Sequence, residues 1–123
     1  MRGFGELEAV VMQRLWSRQA PVTVREIVDE LRTERELAYT TILTVMDNLF
    51  KKGWLRREID GRAYRYEPVA SREEYVAMVM REALDGSGDR AVALQHFVGR
   101  MSTEEADALR GALNRFKRGR RRP

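Results

Sequence analysis

A chain of 123 residues, 43% hydrophobic and 34% charged, has room for one domain or for one small domain with an appendage, which argues against a multidomain enzyme and against a membrane-embedded protein. It contains no cysteine, so neither a disulfide framework nor a thiolate metal site is available. The net charge of +4 is concentrated in two places, Lys51 to Arg65 and Arg115 to Arg122, a distribution that suits polyphosphate partners.

The apolar runs fall far short of the roughly 20 residues that span a bilayer, and Met1–Glu6 holds no apolar signal core. A cytoplasmic protein without membrane insertion is expected. A first helix is expected from Glu6 to about Arg18, because Leu7, Val10, Val11 and Leu15 recur at helical spacing, Met12 and Trp16 widen the face, and Pro21 blocks continuation. Thr23 and Glu26 form a capping box that opens a second helix, with Val24, Ile27, Val28 and Leu31 as its buried stripe. The charged stretch Arg32 to Glu36 reads as an exposed link.

The third helix is expected from near Ala38 to Lys52, stopped by Gly53. Ile42, Val45, Met46, Leu49 and Phe50 fall on one face. Thr40, Thr44, Asp47, Asn48 and Lys51 fall on the other, with Thr41 and Lys52 at its edge. After Gly53 the period changes to alternation, which predicts a hairpin from Trp54 to Glu67 around a type I′ turn at Asp60-Gly61, closed by Pro68. Leu55 and Ile59 share a face with Tyr64 and Tyr66; Arg56 and Arg65 point to the other.

Ser71 and Glu74 form a second capping box, ahead of a helix through Tyr75, Val76, Met78, Val79, Met80, Ala83 and Leu84. Its apolar positions cover more than one stripe, which implies burial on two sides, and a second copy of the chain is the simplest source of the second cover. A break at Gly86-Ser87-Gly88 precedes a helix carrying Leu94, Phe97, Val98 and Met101. A third capping box, Ser102 with Glu105, opens the last helix, which presents Ala106, Leu109, Leu113 and Phe116. The expected homodimer contacts are Tyr75, Met78, Val79, Leu94, Phe97, Val98, Leu109 and Leu113.

These elements predict a mainly α protein with a small β-hairpin wing: a winged helix-turn-helix DNA-binding domain at 1–70, a helical dimerisation region at 71–118, and a disordered basic tail at 119–123. In that arrangement the third helix enters the major groove, about 12 Å wide, and the hairpin lies along the adjacent backbone. Lys51, Lys52, Arg57, Arg62 and Arg65 are the candidate phosphate contacts; Asn48, Thr44 and Thr40 are the candidates for base readout. Asp47 either accepts from a cytosine amino group or turns toward a lysine or arginine. A protein-interaction module with non-specific nucleic-acid affinity and a ligand-responsive winged-helix regulator are the competing readings.

Nothing points to catalysis. His96 is the lone histidine and has no partner at metal-ligand spacing. Glu73-Glu74 and Glu104-Glu105 sit in first helical turns, where the helix dipole accounts for them. Met78, Met80 and Met101 read as packing. No phosphate loop, Ser-His-Asp set or nucleophile elbow is present, so no enzyme, cofactor or metal is expected.

The run Ala38-Tyr39-Thr40-Thr41-Ile42-Leu43-Thr44-Val45-Met46-Asp47-Asn48-Leu49-Phe50-Lys51-Lys52-Gly53, followed by Gly61-Arg62-Ala63-Tyr64-Arg65-Tyr66-Glu67-Pro68, resembles the penicillinase-repressor (BlaI/MecI) family, and most of all its actinobacterial members. Gly5-Glu6-Leu7-Glu8, Leu15-Trp16 and Val22-Thr23-Val24-Arg25-Glu26 extend the resemblance over nearly the whole chain. It implies a homodimeric repressor on an inverted-repeat operator, often with TACA and TGTA cores, in a β-lactam-resistance or related stress regulon. The family's recognition positions carry over to Thr40, Thr41 and Thr44, and its wing arginine to Arg62; Asn48 stands where many members have Arg. In the best-known branch a membrane sensor protease leads to cleavage at an Asn-Phe bond, and the corresponding pair here is His96-Phe97. A copper-sensing branch uses C-terminal cysteines, which this chain lacks.

Overall fold

A computed structural model describes residues 4–120. In chain order its elements are α1 (Glu6–Ser17), α2 (Val24–Leu31), α3 (Tyr39–Lys51), β1 (Leu55–Asp60), β2 (Ala63–Pro68), α4 (Arg72–Asp85), α5 (Arg90–Gly99) and α6 (Thr103–Arg120). The chain falls into two units, Met1–Met80 and Arg81–Pro123.

The first unit is built around the stripes that periodicity picks out. Val11, Met12 and Leu15 of α1, Val24, Ile27, Val28 and Leu31 of α2, and Ile42, Met46 and Leu49 of α3 are all buried, joined by Leu55 and Tyr66 of the hairpin. Fully burying such a side chain contributes roughly 1.5–3 kcal/mol, so this shared core fixes the rotation of each helix about its axis. At the start of α2 the Thr23 hydroxyl accepts from the Glu26 amide at 3.2 Å, and the Glu26 carboxylate accepts from the Thr23 amide at 3.3 Å. At the end of α3, Gly53 adopts φ 87°, which lets its amide reach the Phe50 carbonyl and the Trp54 amide reach that of Leu49, both at 3.0 Å. This is a Schellman stop, and it turns the chain directly into β1.

β1 and β2 pair antiparallel, with Leu55 opposite Pro68, Arg57 opposite Tyr66, Ile59 opposite Tyr64 and Asp60 opposite Ala63. The turn therefore consists of Gly61-Arg62, one residue beyond the Asp60-Gly61 expected. Gly61 has φ 66°, and no non-glycine residue described has a positive φ, which fits a type II′ turn with Gly first and not type I′. Val22 adds a single bridge to Tyr66, the two exchanging amide hydrogen bonds of 2.9 and 2.7 Å, and so ties the link before α2 to the edge of the wing.

Aromatic rings close the first unit on its other side. Tyr75 stacks on Phe4 with centroids 4.4 Å apart, and Trp54 makes a T-shaped contact with each ring, at centroid separations of 5.0 Å. Trp16 donates its indole N–H to the Ala70 carbonyl at 3.0 Å. Tyr75, at 1% exposure, is thus core within its own subunit and is unavailable as the dimer contact expected of it; Val79 packs partly against the same core. This anchoring is why the two units divide inside α4, after Met80, and not at the boundary after Ala70.

In the second unit Asp89 caps α5, its carboxylate accepting from the Val92 amide at 3.1 Å, a cap hidden in the sequence behind the glycine-rich break. Ser102 and Glu105 form the expected box at α6, with bonds of 2.9 and 3.1 Å. α6 continues through Gly119 and Arg120, where a disordered tail is expected from sequence; the rest of that tail, 121–123, lies outside the described residues. Among the described residues, none from 81 to 119 is buried. No helix described is long and apolar enough to cross a membrane.

Candidate nucleic-acid interface

With Ile42, Met46 and Leu49 locked in the core, the other face of α3 is turned outward. Thr40, Thr41, Thr44, Asn48 and Lys51 are all exposed there. The Thr44 hydroxyl donates to the Thr40 carbonyl at 2.9 Å, a local bond that restrains its side chain and leaves its methyl and lone pairs at the surface. Two apolar members of this surface escaped the sequence reading: Leu43, 40% exposed, and Tyr39, whose ring lies 4.6 Å from the Arg25 guanidinium of α2. The signal was present, since Leu43 sits 100° around the helix from buried Ile42.

The five cations expected to meet phosphates have different surroundings. Lys51 is 69% exposed and bridges to Asp47 at 2.9 Å. Arg62 is exposed in the wing turn and makes no ion pair among the described residues. Lys52 bonds both oxygens of Glu8 on α1, at 2.9 and 3.2 Å. Burial works to raise the Glu8 carboxyl, but the Gly5 amide and the Lys52 ammonium outweigh it and hold its pKa below the ordinary value. Arg65 pairs with Asp60 at 2.6 Å and with Glu26 of α2 at 3.1 Å, on the hairpin face away from the core.

Arg57 is the most enclosed of the five. Its side chain is 22% exposed, its guanidinium lies 3.9 Å from the Phe50 ring centroid and 4.1 Å from that of Tyr64, and it bridges to Asp47 at 3.2 Å. Asp47 therefore faces two cations, and the hydrogen bond from Lys51, reinforced by Arg57, holds its pKa below the usual carboxylate value. Of the two orientations open to Asp47 from sequence, the one toward lysine and arginine is observed.

Among the other expected contacts, Met78, Leu94, Phe97, Val98 and Leu113 expose close to half of their surface, while Val79 and Leu109 are half-buried. His96 is exposed beside Phe97 on α5. Among the described residues no cluster of His, Asp or Glu is arranged to hold a metal ion.

The sequence profile described as penicillinase repressor matches residues 4–115. The transcriptional regulator BlaI of Mycobacterium tuberculosis is 48% identical over 118 residues, covering 94% of this chain and 86% of that protein. The solution structure of the DNA binding domain of the repressor BlaI is similar over 59% of this chain and 88% of that domain, at 27% identity and a TM-score of 0.53. MepR, a transcription regulator of the Staphylococcus aureus multidrug efflux pump MepA, shares the fold over 95% of this chain and 80% of its own, at 17% identity and a TM-score of 0.52. With nearly its whole length matched, and the winged helix shared with a solved repressor domain, the chain belongs to the penicillinase-repressor family of transcriptional regulators.

Proposed function

We propose that this protein is a repressor that binds an inverted-repeat operator in double-stranded DNA as a homodimer, with α3 as the reading helix and the β1–β2 hairpin as the wing. The observation that carries the reading is the outward face of α3: threonines, an asparagine and a lysine on a helix whose opposite face is fully committed to the core, with a basic hairpin beside it. Membership of a repressor family, and similarity to a DNA binding domain, support it.

In this reading Thr40, Thr41, Thr44 and Asn48 meet base edges, Asn48 being suited to bidentate bonding with adenine. Lys51 and Arg62, the least encumbered cations, contact phosphates; Lys52 and Arg65 join them only by loosening their hold on Glu8, or on Asp60 and Glu26. Because Asn48 stands where many family members carry Arg, the operator differs from theirs at the base pair this residue meets. Dimerisation is supported by the exposed Leu94, Phe97, Val98 and Leu113 in a unit that buries no residue of its own among those described. The working compartment is the cytoplasm, where the operator is, and the regulon is one of β-lactam resistance or related stress. Release through a membrane sensor protease cutting at His96-Phe97 requires local unwinding, since the pair lies inside α5.

The test is an anisotropy titration against DNA from upstream of its own gene and against a scrambled duplex, at several salt concentrations. Strong preference for one inverted repeat is expected. Equal and steeply salt-sensitive binding to both duplexes supports a non-specific basic surface instead.

A further inference from the structure

Among the cations of β1 and β2, Arg57 alone shares the hairpin face of Leu55 and Tyr66 that packs toward α3; Arg56 and Arg65 lie on the other face. Its guanidinium lies over the rings of Phe50 of α3 and Tyr64 of β2, 3.9 and 4.1 Å from their centroids. A guanidinium binds phosphate best through an open, planar edge, and on Arg57 one nitrogen of that edge, Nη1, already donates to Asp47 at 3.2 Å and to the Tyr66 hydroxyl at 3.5 Å. To reach DNA through that nitrogen, Arg57 must leave a carboxylate and the Tyr66 hydroxyl, and to swing out it must leave two rings as well.

The consequence falls on Lys51. Asp47 is one carboxylate shared by two cations, of which Lys51 is largely in solvent and Arg57 largely enclosed. When Lys51 swings out to a phosphate, Arg57 stays behind as the counterion of Asp47. Without Arg57, Asp47 has Lys51 as its remaining ion-pair partner, and the carboxylate competes directly with the phosphate for the same ammonium.

We propose that Arg57 is a positioning residue: it brackets the wing against α3 and neutralises Asp47, which frees Lys51 to take a DNA phosphate. The assignment rests on the DNA-binding reading above, and it withdraws Arg57 itself from the phosphate contacts.

The experiment compares the salt dependence of binding by the full chain to a duplex selected from a random pool, for the wild type, K51A, R57M, K51A/R57M and D47N/R57M. Each phosphate contact contributes about 0.9 to the slope of log affinity against log salt. K51A and R57M should each flatten the slope by about one unit, K51A/R57M by no more than about one, and D47N/R57M should recover the wild-type slope. R57K, which keeps the charge but not the flat stack, should retain the slope and lose several-fold in preference over a scrambled duplex. Thermal melts check folding, and R57Q replaces R57M should the latter not fold.

Flattening by about two units in K51A/R57M, with no recovery in D47N/R57M, means that Arg57 touches a phosphate itself and overturns the assignment. An unchanged slope in R57M overturns it too. A wild type that prefers no duplex, yet shows a Lys51-dependent slope, marks failure of the sequence-specific reading and leaves the slope comparison on any duplex to decide the role of Arg57.

Discussion

Phe4 and Tyr75 stack almost parallel, 10° apart in plane and 4.4 Å between centroids, although they come from opposite ends of the first unit. The stack draws the start of α4 into the winged-helix core, with Trp16 and Trp54 packed around it.

Tyr75→Ala should therefore behave as a core truncation. A loss of about 3–5 kcal/mol is expected, as for large aromatic residues cut back in packed interiors. Urea unfolding at several protein concentrations checks it: the loss should be the same at all of them. A loss that is absent at low protein concentration and grows as concentration rises would return Tyr75 to the dimer interface.

Leu94→Asp and Phe97→Asp should do the opposite. Both residues are about half exposed on α5, so a carboxylate there leaves the folded subunit intact but cannot be buried against a second copy. Analytical ultracentrifugation should find monomers, and operator occupancy should then depend steeply on protein concentration. A variant that remains dimeric would move the interface elsewhere.

The helices were largely legible before the structure, because their signals are local. Three capping boxes, Thr23 with Glu26, Ser71 with Glu74 and Ser102 with Glu105, all form, and Gly53 stops α3. What sequence did not disclose is mostly non-local. Lys52 finds Glu8 across 44 residues, and Val22 finds Tyr66 with no periodicity to announce it. Tyr75 was misassigned because a helix apolar on more than one stripe does not say which stripe faces its own subunit. The turn was displaced by one residue because a single glycine satisfies type II′, with the aspartate left to end β1. α6 outran its expected end because Lys117, Arg118 and Arg120 are good helix formers favoured near a helix C-terminus, which offsets the cost of about 1 kcal/mol for Gly119 between them.

On α3, Thr44→Ala should relax preference at one operator position at a cost of about 1–3 kcal/mol, leaving the salt slope unchanged. Asn48→Ala should do the same at a different position. Binding to a set of single-base operator variants checks both. Uniform weakening on every duplex would show that these side chains do not read bases.

Acid should destabilise the first unit in a defined window. Glu8, Glu26 and Asp47 all have pKa values lowered by hydrogen bonds and by neighbouring lysine or arginine. A carboxylate whose folded pKa lies below its unfolded one contributes stability that is fully present above the unfolded value, about 4, and is lost as pH falls through the folded value. The urea midpoint should thus stay level from about pH 7 to 5 and decline below about 4. A decline confined to the range above pH 5 would point to other groups.

Whether the outward face of α3 reads a DNA sequence is decided by selecting duplexes from a random pool with the purified full chain and repeating the selection with T44A/N48A. The wild type should enrich an inverted repeat, and the variant should lose or change the preferred bases in each half-site. The same repeat from both proteins, or no enriched sequence from the wild type, would contradict base reading by α3.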